Sequence, residues 1–250
     1  MRKYSNRVLD VLDIYDAYID QKNAENTEDR YKGREHWYGA SSSGLCSRKL
    51  YYKHVMKAEE TNEVQTDSKR LMRLGTIVHD DIQNAINNSI NSSLKNTINN
   101  DIKYYIEEEI RIEELGVRGF YDLVSVDDQV TLYDFKTTSS YSFKQKFGRS
   151  GGNWSENNMM QLGTYGYGVK EQFGRLDAMY LIYYNKDTSK IDYQPVPLTY
   201  VNKAYKYWKN IQKSHKKGIP GLVDGISPVY KWECSSKYCR FYDLCQHGIK

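Results

Sequence analysis

Tyr133-Asp134-Phe135-Lys136 sets a carboxylate two residues before an amine. On a strand such a pair shares one face, about 6.6 Å apart along the chain. Residues 117–126 and 130–136 are rich in Val, Leu, Tyr and Phe and flank Asp127-Asp128-Gln129, a pattern that predicts a hairpin with a three-residue loop. If the hairpin is symmetric about Asp128, Val126 faces Val130 and Asp122 lies opposite Asp134; a slip of one residue would turn Asp122 to the other face. Directly opposed carboxylates destabilise a sheet, so this placement implies a cation between them, and Mg or Mn suits all-oxygen ligation. A lysine beside such an ion can orient or activate a water against a phosphodiester while the ion takes up charge on the phosphate. The alternative is a set of solvent-facing charges on an edge hairpin.

Other residues are candidates for the same chemistry. His79 closes Gly75-Thr76-Ile77-Val78-His79 on a helix predicted from residue 73, in one stripe with Ile82, Ile86 and Ile90. A buried histidine satisfied by a backbone group would look the same. Gln161 and Tyr165, four apart on a helix predicted over 156–172, share a face and could reach a nucleic-acid backbone or the lysine, or pack inside. Gly163, Gly166 and Gly168 each cost about 1 kcal/mol against alanine in that helix, which implies close approach to a sheet or ligand. Cys234, Cys239 and Cys245 fall within twelve residues, and Cys46 lies far upstream. Four thiolates suit an iron-sulfur cluster or tetrahedral zinc, although Cys46 alone could be a packed side chain. Lys144, Lys146 and Arg149 lie with Tyr141, Phe143, Phe147 and Trp154 in a polar stretch, 139–153, read as a loop. That mixture suits phosphate contact and base stacking, or plain solvation. Arg48, Lys49 and Lys53 beside Cys46 extend the same possible track.

The elements that must position these groups follow from periodicity. Val8, Val11, Leu12 and Tyr15 predict an amphipathic helix over 8–20, followed by an exposed stretch over 21–34. Ser41, Ser42 and Ser43 offer caps for a helix carrying Cys46, Leu50, Tyr51 and Val55. Residues 87–100, rich in Asn and Ser, read as an excursion. Strands are expected over 178–184 and 190–196, a helix over 200–216, and an irregular tail beyond Gly218. With 250 residues, 39% hydrophobic and 27% charged, the chain can bury a sizeable core as one domain. The net charge of +4 permits a polyanionic partner without requiring one. No apolar run reaches the ~18 residues of a membrane span, and no signal-peptide core follows Met1, so a cytoplasmic location with no membrane partner is expected. Cysteines in that compartment bind metal more readily than they form disulfides.

In their order, Gly75-Thr-Ile-Val-His79, Gly119-Phe-Tyr-Asp122, Asp134-Phe-Lys136 and Gln161-Leu-Gly-Thr-Tyr165 resemble the successive motifs of RecB-like PD-(D/E)XK nucleases. The resemblance implies an α/β fold, a restriction-endonuclease-like core with a mixed central sheet flanked by helices. It implies that His79, Asp122, Asp134 and the Phe135 carbonyl bind Mg or Mn, that Lys136 assists the water, and that Gln161 and Tyr165 support the site. One cysteine before the core and three after it is similar to the iron-sulfur subset, which includes CRISPR-adaptation exonucleases and AddB-type nucleases. Here the last three are spaced C-x4-C-x5-C where that subset usually has C-x2-C-x5-C. A 4Fe-4S cluster is the implied cofactor, with zinc as the alternative, in a helical cap built from 1–60 and 218–250 around a catalytic core of 73–200. The implied function is metal-dependent DNA hydrolysis, as an exonuclease on single-stranded ends in recombination, repair or replication, with a helicase or recombination protein as partner. A structure-specific endonuclease and a non-catalytic DNA-end-binding adaptor of the same fold are the alternatives.

Overall fold

The computed structural model describes residues 11–31, 37–91, 102–149, 151–152, 154–219 and 233–245. Its helices are α1 (Val11–Tyr31), α2 (Ser47–His54), α3 (Thr66–Asn91), α4 (Ser140–Phe147), α5 (Glu156–Phe173) and α6 (Thr199–Lys216). The strands are β1 (Tyr38–Gly39), β2 (Lys103–Ile112), β3 (Val117–Val126), β4 (Val130–Thr138), β5 (Ala178–Asn185) and β6 (Ile191–Pro195), all in one mixed sheet. Antiparallel β2 follows β3 along one edge. On the other edge β3 is shared: β1 pairs in parallel with Val117 and Arg118, and β4 pairs antiparallel from Leu123 to Val126. β4 continues as the parallel partner of β5, and β5 pairs antiparallel with β6.

The two faces of the sheet are covered differently. On one, Tyr121, Val124, Leu132 and Leu181 pack with Leu162 and Val169 of α5 and Trp208 and Ile211 of α6. The glycines of α5 serve this packing, as their spacing implied. A Cβ at Gly168 would sit 2.9 Å from Ile110 of β2, and one at Gly163 would press into the Tyr200 carbonyl at the start of α6. On the opposite face, Ile82 and Ile86 of α3 lie on Leu123, Phe135 and Ile182. No helix among the described residues is long and apolar enough to cross a membrane.

The α/β class, the hairpin, α5, β5, β6 and α6 agree with the sequence reading, and other expectations fail. α1 runs on through the stretch expected to be an exposed loop, and Val11, Leu12 and Tyr15 face solvent while Ile19 is buried. Its periodicity therefore did not mark a core face; Val8 lies outside the described residues. α3 starts at Thr66, seven residues before the expected start, and β2 was not anticipated. The loop expected over 139–153 contains α4, capped by the Ser139 hydroxyl accepting from the Ser142 amide at 3.3 Å. Most of the excursion at 87–100 lies outside the described residues. The last described segment, 233–245, consists of turns, so the C-terminal part of the expected cap is not helical there.

Candidate active site

The sheet has a slot. Between the end of the β1 pairing at Arg118 and the start of the β4 pairing at Leu123, the same edge of β3 carries no strand partner among the described residues. Val126 faces Val130 and Leu123 faces Tyr133, the register that directs Asp122 towards Asp134. Regular pairing stops one residue short of the two aspartates. In its place the Asp122 carboxylate accepts from the Phe135 amide at 2.6 Å, so a side chain holds the strands apart where the ladder would have closed them.

Around the slot is a cavity of about 420 Å³ lined by His79, Asp122, Asp134, Phe135, Lys136, Gln161 and Tyr165, all seven of the groups expected at the metal and catalytic site. α3 supplies His79, whose Nδ1 lies 3.6 Å from Asp122 Oδ2 and whose ring is hydrogen-bonded to the Phe135 backbone. α5 lies on the other face of the sheet but reaches through the slot. Gln161 Nε2 is 3.4 Å from Asp134 Oδ1 and 3.2 Å from the Tyr165 hydroxyl. Gly119 makes this passage possible, because a Cβ there would stand 2.7 Å from Ala40 Cβ and 3.0 Å from the Tyr165 ring. On the helical side, Gly75 lets α3 close on β4, where a Cβ would meet the Thr137 hydroxyl at 3.3 Å.

The electrostatics are those of a site built around like charge. Asp134 is 1% exposed and Asp122 9%. Burial, and then the Asp134 charge, raise the Asp122 pKa well above the usual carboxylate range. Burial, and then the Lys136 ammonium, lower that of His79, which favours a neutral imidazole able to ligate. Burial and the Asp134 charge also raise the Tyr165 phenol. Asp134 Oδ2 forms an ion pair with Lys136 but has no hydrogen-bond partner of acceptable geometry among the described residues. A buried carboxylate oxygen in that condition, beside a second carboxylate and an imidazole, suits a hard divalent cation in donor chemistry. Among the described residues no three His, Cys, Asp or Glu side chains stand in a finished metal-binding arrangement. The donors therefore line the cavity without being drawn together.

Glu107 was missed by the sequence reading. It lines the same cavity, accepts from Gln83 of α3 at 2.9 Å, and its charge contributes to the raised Asp122 pKa. On β2 it stands between Ile106, which faces Leu123, and Glu108, which faces Tyr121, and so comes opposite Asp122. The ladder skips this one position, and Glu107 has φ 53°, a left-handed conformation rare for a residue with a side chain. Such local strain recurs at functional sites. The signal available in sequence was a carboxylate run, Glu107-Glu108-Glu109, inside an apolar-rich stretch.

A model of the PD-(D/E)XK nuclease superfamily matches residues 97–246, well over half of the chain. The protein belongs to this superfamily. Solved structures share the fold of this PD-(D/E)XK chain at low identity. SSO0001 is 17% identical with a TM-score of 0.52, over 90% of this chain and 98% of that one. The alkaline exonuclease LHK-Exo from Laribacter hongkongensis is 11% identical with a TM-score of 0.51, over 77% and 94% respectively. No curated protein sequence matches significantly.

Outside the slot the structure places the remaining candidates as follows. Cys46 caps the N-terminus of α2, and Cys234, Cys239 and Cys245 lie in the turns of 233–245; all four are free thiols of intermediate exposure. Burial first, then the charges of Cys46, Cys239 and Cys245, push Cys234 up to about 11, and burial chiefly raises Cys46. Among the described residues the four do not form a finished metal site. Lys144 and Arg149 are exposed at α4, while Lys146 lies over the Tyr183 ring at 5.3 Å. Phe143, Phe147 and Trp154 are partly buried against the core, and Tyr141 alone of that aromatic group is largely exposed. Arg48 is buried, with Nη1 3.9 Å from Cys245 Sγ, and so does not extend a basic surface track.

Proposed function

We propose that this PD-(D/E)XK protein is a metal-dependent DNA nuclease that hydrolyses phosphodiesters as an exonuclease on single-stranded ends. The observation that carries the reading is that His79, Asp122, Asp134 and Lys136 line one cavity, with the buried Asp134 carboxylate paired with Lys136 beside a second buried carboxylate. A binding module would not need that costly arrangement. The exonuclease assignment draws on the fold shared with LHK-Exo and on the family resemblance of the motifs.

His79 Nδ1, the Asp122 and Asp134 carboxylates and the Phe135 carbonyl would hold Mg or Mn. Such an ion supplies Lewis-acid stabilisation of phosphate charge and lowers the pKa of a water. The residues do the rest. Lys136 Nζ, on the Asp134 side of the slot, orients the attacking water and donates to the phosphate as its charge grows. Gln161 fixes the Asp134 carboxylate through Oδ1 and is itself fixed by Tyr165, which holds the reacting groups in one geometry. The Phe135 amide fixes Asp122 from the other side.

The four cysteines we assign to a 4Fe-4S cluster that ties α2 to the 233–245 turns. Four free thiols fit that group by number and softness, and zinc is the competing occupant. End-labelled linear and circular single-stranded DNA, incubated with Mg or Mn, tests the main reading. Loss of linear substrate alone supports the exonuclease, cleavage of circles points to an endonuclease, and cleavage of neither leaves an end-binding adaptor.

A further inference from the structure

On β3, Arg118 and Asp122 lie four residues apart and line the same cavity. That separation is about 13 Å along the strand. The residue directly across from Arg118 on β2 is Arg111. Like charges facing one another across a ladder are destabilising, and here they share one counter-charge. Glu109 uses Oε1 for Arg118 and Oε2 for Arg111, the latter at 2.9 Å. Two guanidinium groups against one carboxylate leave one positive charge in excess. Arg118, only 15% exposed in its side chain, lines the cavity, and Arg111, its neighbour across the ladder, is 56% exposed.

We propose that Arg118 and Arg111 form a phosphate subsite that holds the nucleic-acid strand at a position away from the reacting bond. This rests on the nuclease reading above. Guanidinium groups are suited to the bidentate recognition of phosphate, and a phosphate bound there resolves the like-charge pairing that Glu109 balances only in part. The phosphate is either internal to the strand or the terminal one of a DNA end. Both present the same oxygens, so the substrate must discriminate between them.

The test measures binding of a single-stranded oligonucleotide to the full-length protein in chelator, as a function of salt. Arg118→Gln is expected to weaken binding about tenfold, the effect of one charged hydrogen-bonding group. The slope of log affinity against log salt should become shallower by about 0.7 for each phosphate of a single strand that is no longer neutralised. Arg111→Gln, at an exposed position, should act in the same direction and covers the case in which Arg118→Gln fails to fold. Glu109→Gln releases both arginines and should tighten binding and steepen the slope, a result that a purely structural ion triad does not give. If removing the terminal phosphate from the oligonucleotide abolishes the difference between wild type and Arg118→Gln, the subsite holds an end. If the difference persists, it holds an internal phosphate. Wild-type affinity and slope in both arginine variants, or weaker binding by Glu109→Gln, would overturn the proposal. Arginine-dependent binding by a wild-type protein that cleaves nothing with Mn would remove the nuclease reading and leave the subsite standing.

Discussion

Gly119→Ala tests whether the slot in the sheet is what brings α5 to the carboxylates. The added Cβ would stand 2.7 Å from Ala40 Cβ and 3.0 Å from the Tyr165 ring. Ordinary carbon contacts are about 3.5–4.0 Å, so one neighbour must yield by roughly 1 Å. Neither has room. Ala40 is fully buried beside β1, and α5 cannot retreat because Gly163 already lets it touch the Tyr200 backbone. Overpacking of this kind costs about 1–3 kcal/mol, or roughly 2–12 °C in melting temperature for a chain of this size. The effect on cleavage should be larger. Displacing Tyr165 disturbs its contact with Gln161 and hence the hold on Asp134, and misplacement by about 1 Å costs on the order of 100-fold in rate. Thermal melts in chelator and kcat/KM on linear single strands with Mn read the two effects. Combining Gly119→Ala with Ala40→Gly removes the tighter contact and should recover most of the melting temperature, with a coupling of about 0.5–3 kcal/mol between the sites. If Gly119→Ala melts and cleaves like wild type, or if the two substitutions simply add, the close approach at Gly119 does not build the site.

Lys136→Ala should lower kcat by about 100-fold or more while DNA affinity in chelator changes little; wild-type turnover would remove the lysine from the mechanism. Asp122 in the metal-free protein has a folded pKa above its unfolded value, so the folded state holds the proton more tightly. Metal-free stability should therefore fall as pH rises from the ordinary carboxylate range through the raised value, and level off above it. Asp122→Asn should flatten that fall, abolish cleavage, and gain much less from Mn than the ~2.7 kcal/mol expected of wild type at about 100 times Kd. Equal Mn responses in melting experiments would mean Asp122 is not a ligand. Protein purified without oxygen should contain about four irons per chain and lose them in Cys46→Ala, whereas stoichiometric zinc after growth with adequate iron would replace the cluster assignment.

What could be read in the sequence and what could not divide along a physical line. The hairpin was legible because Val126 and Val130 flank a short loop, and symmetry about that loop fixes the register that directs Asp122 towards Asp134. Gln161 and Tyr165 were legible as a pair because helical spacing puts them on one face, but their reach through the sheet depends on Gly119 and Ala40, which are remote from them in sequence. α1 misled because Val11, Leu12 and Tyr15 have the spacing of a core face and are exposed. Periodicity reports compatibility with burial and does not name the surface that will cover it. β2 was missed because Glu107-Glu108-Glu109 interrupts the alternation of a strand with three successive carboxylates. The three meet different partners once the chain is folded. Glu107 faces the slot beside Gln83, Glu108 accepts from the Tyr121 hydroxyl, and Glu109 joins Arg111 to Arg118. Local rules fail here for a reason that favours function. A left-handed glutamate on β2 and a like-charge arginine pair facing across β2 and β3 both oppose folding, and both belong to residues at or beside the cavity that holds Asp122 and Asp134. The segment least recognisable as a strand is thus the one that surrounds the carboxylates with further charge.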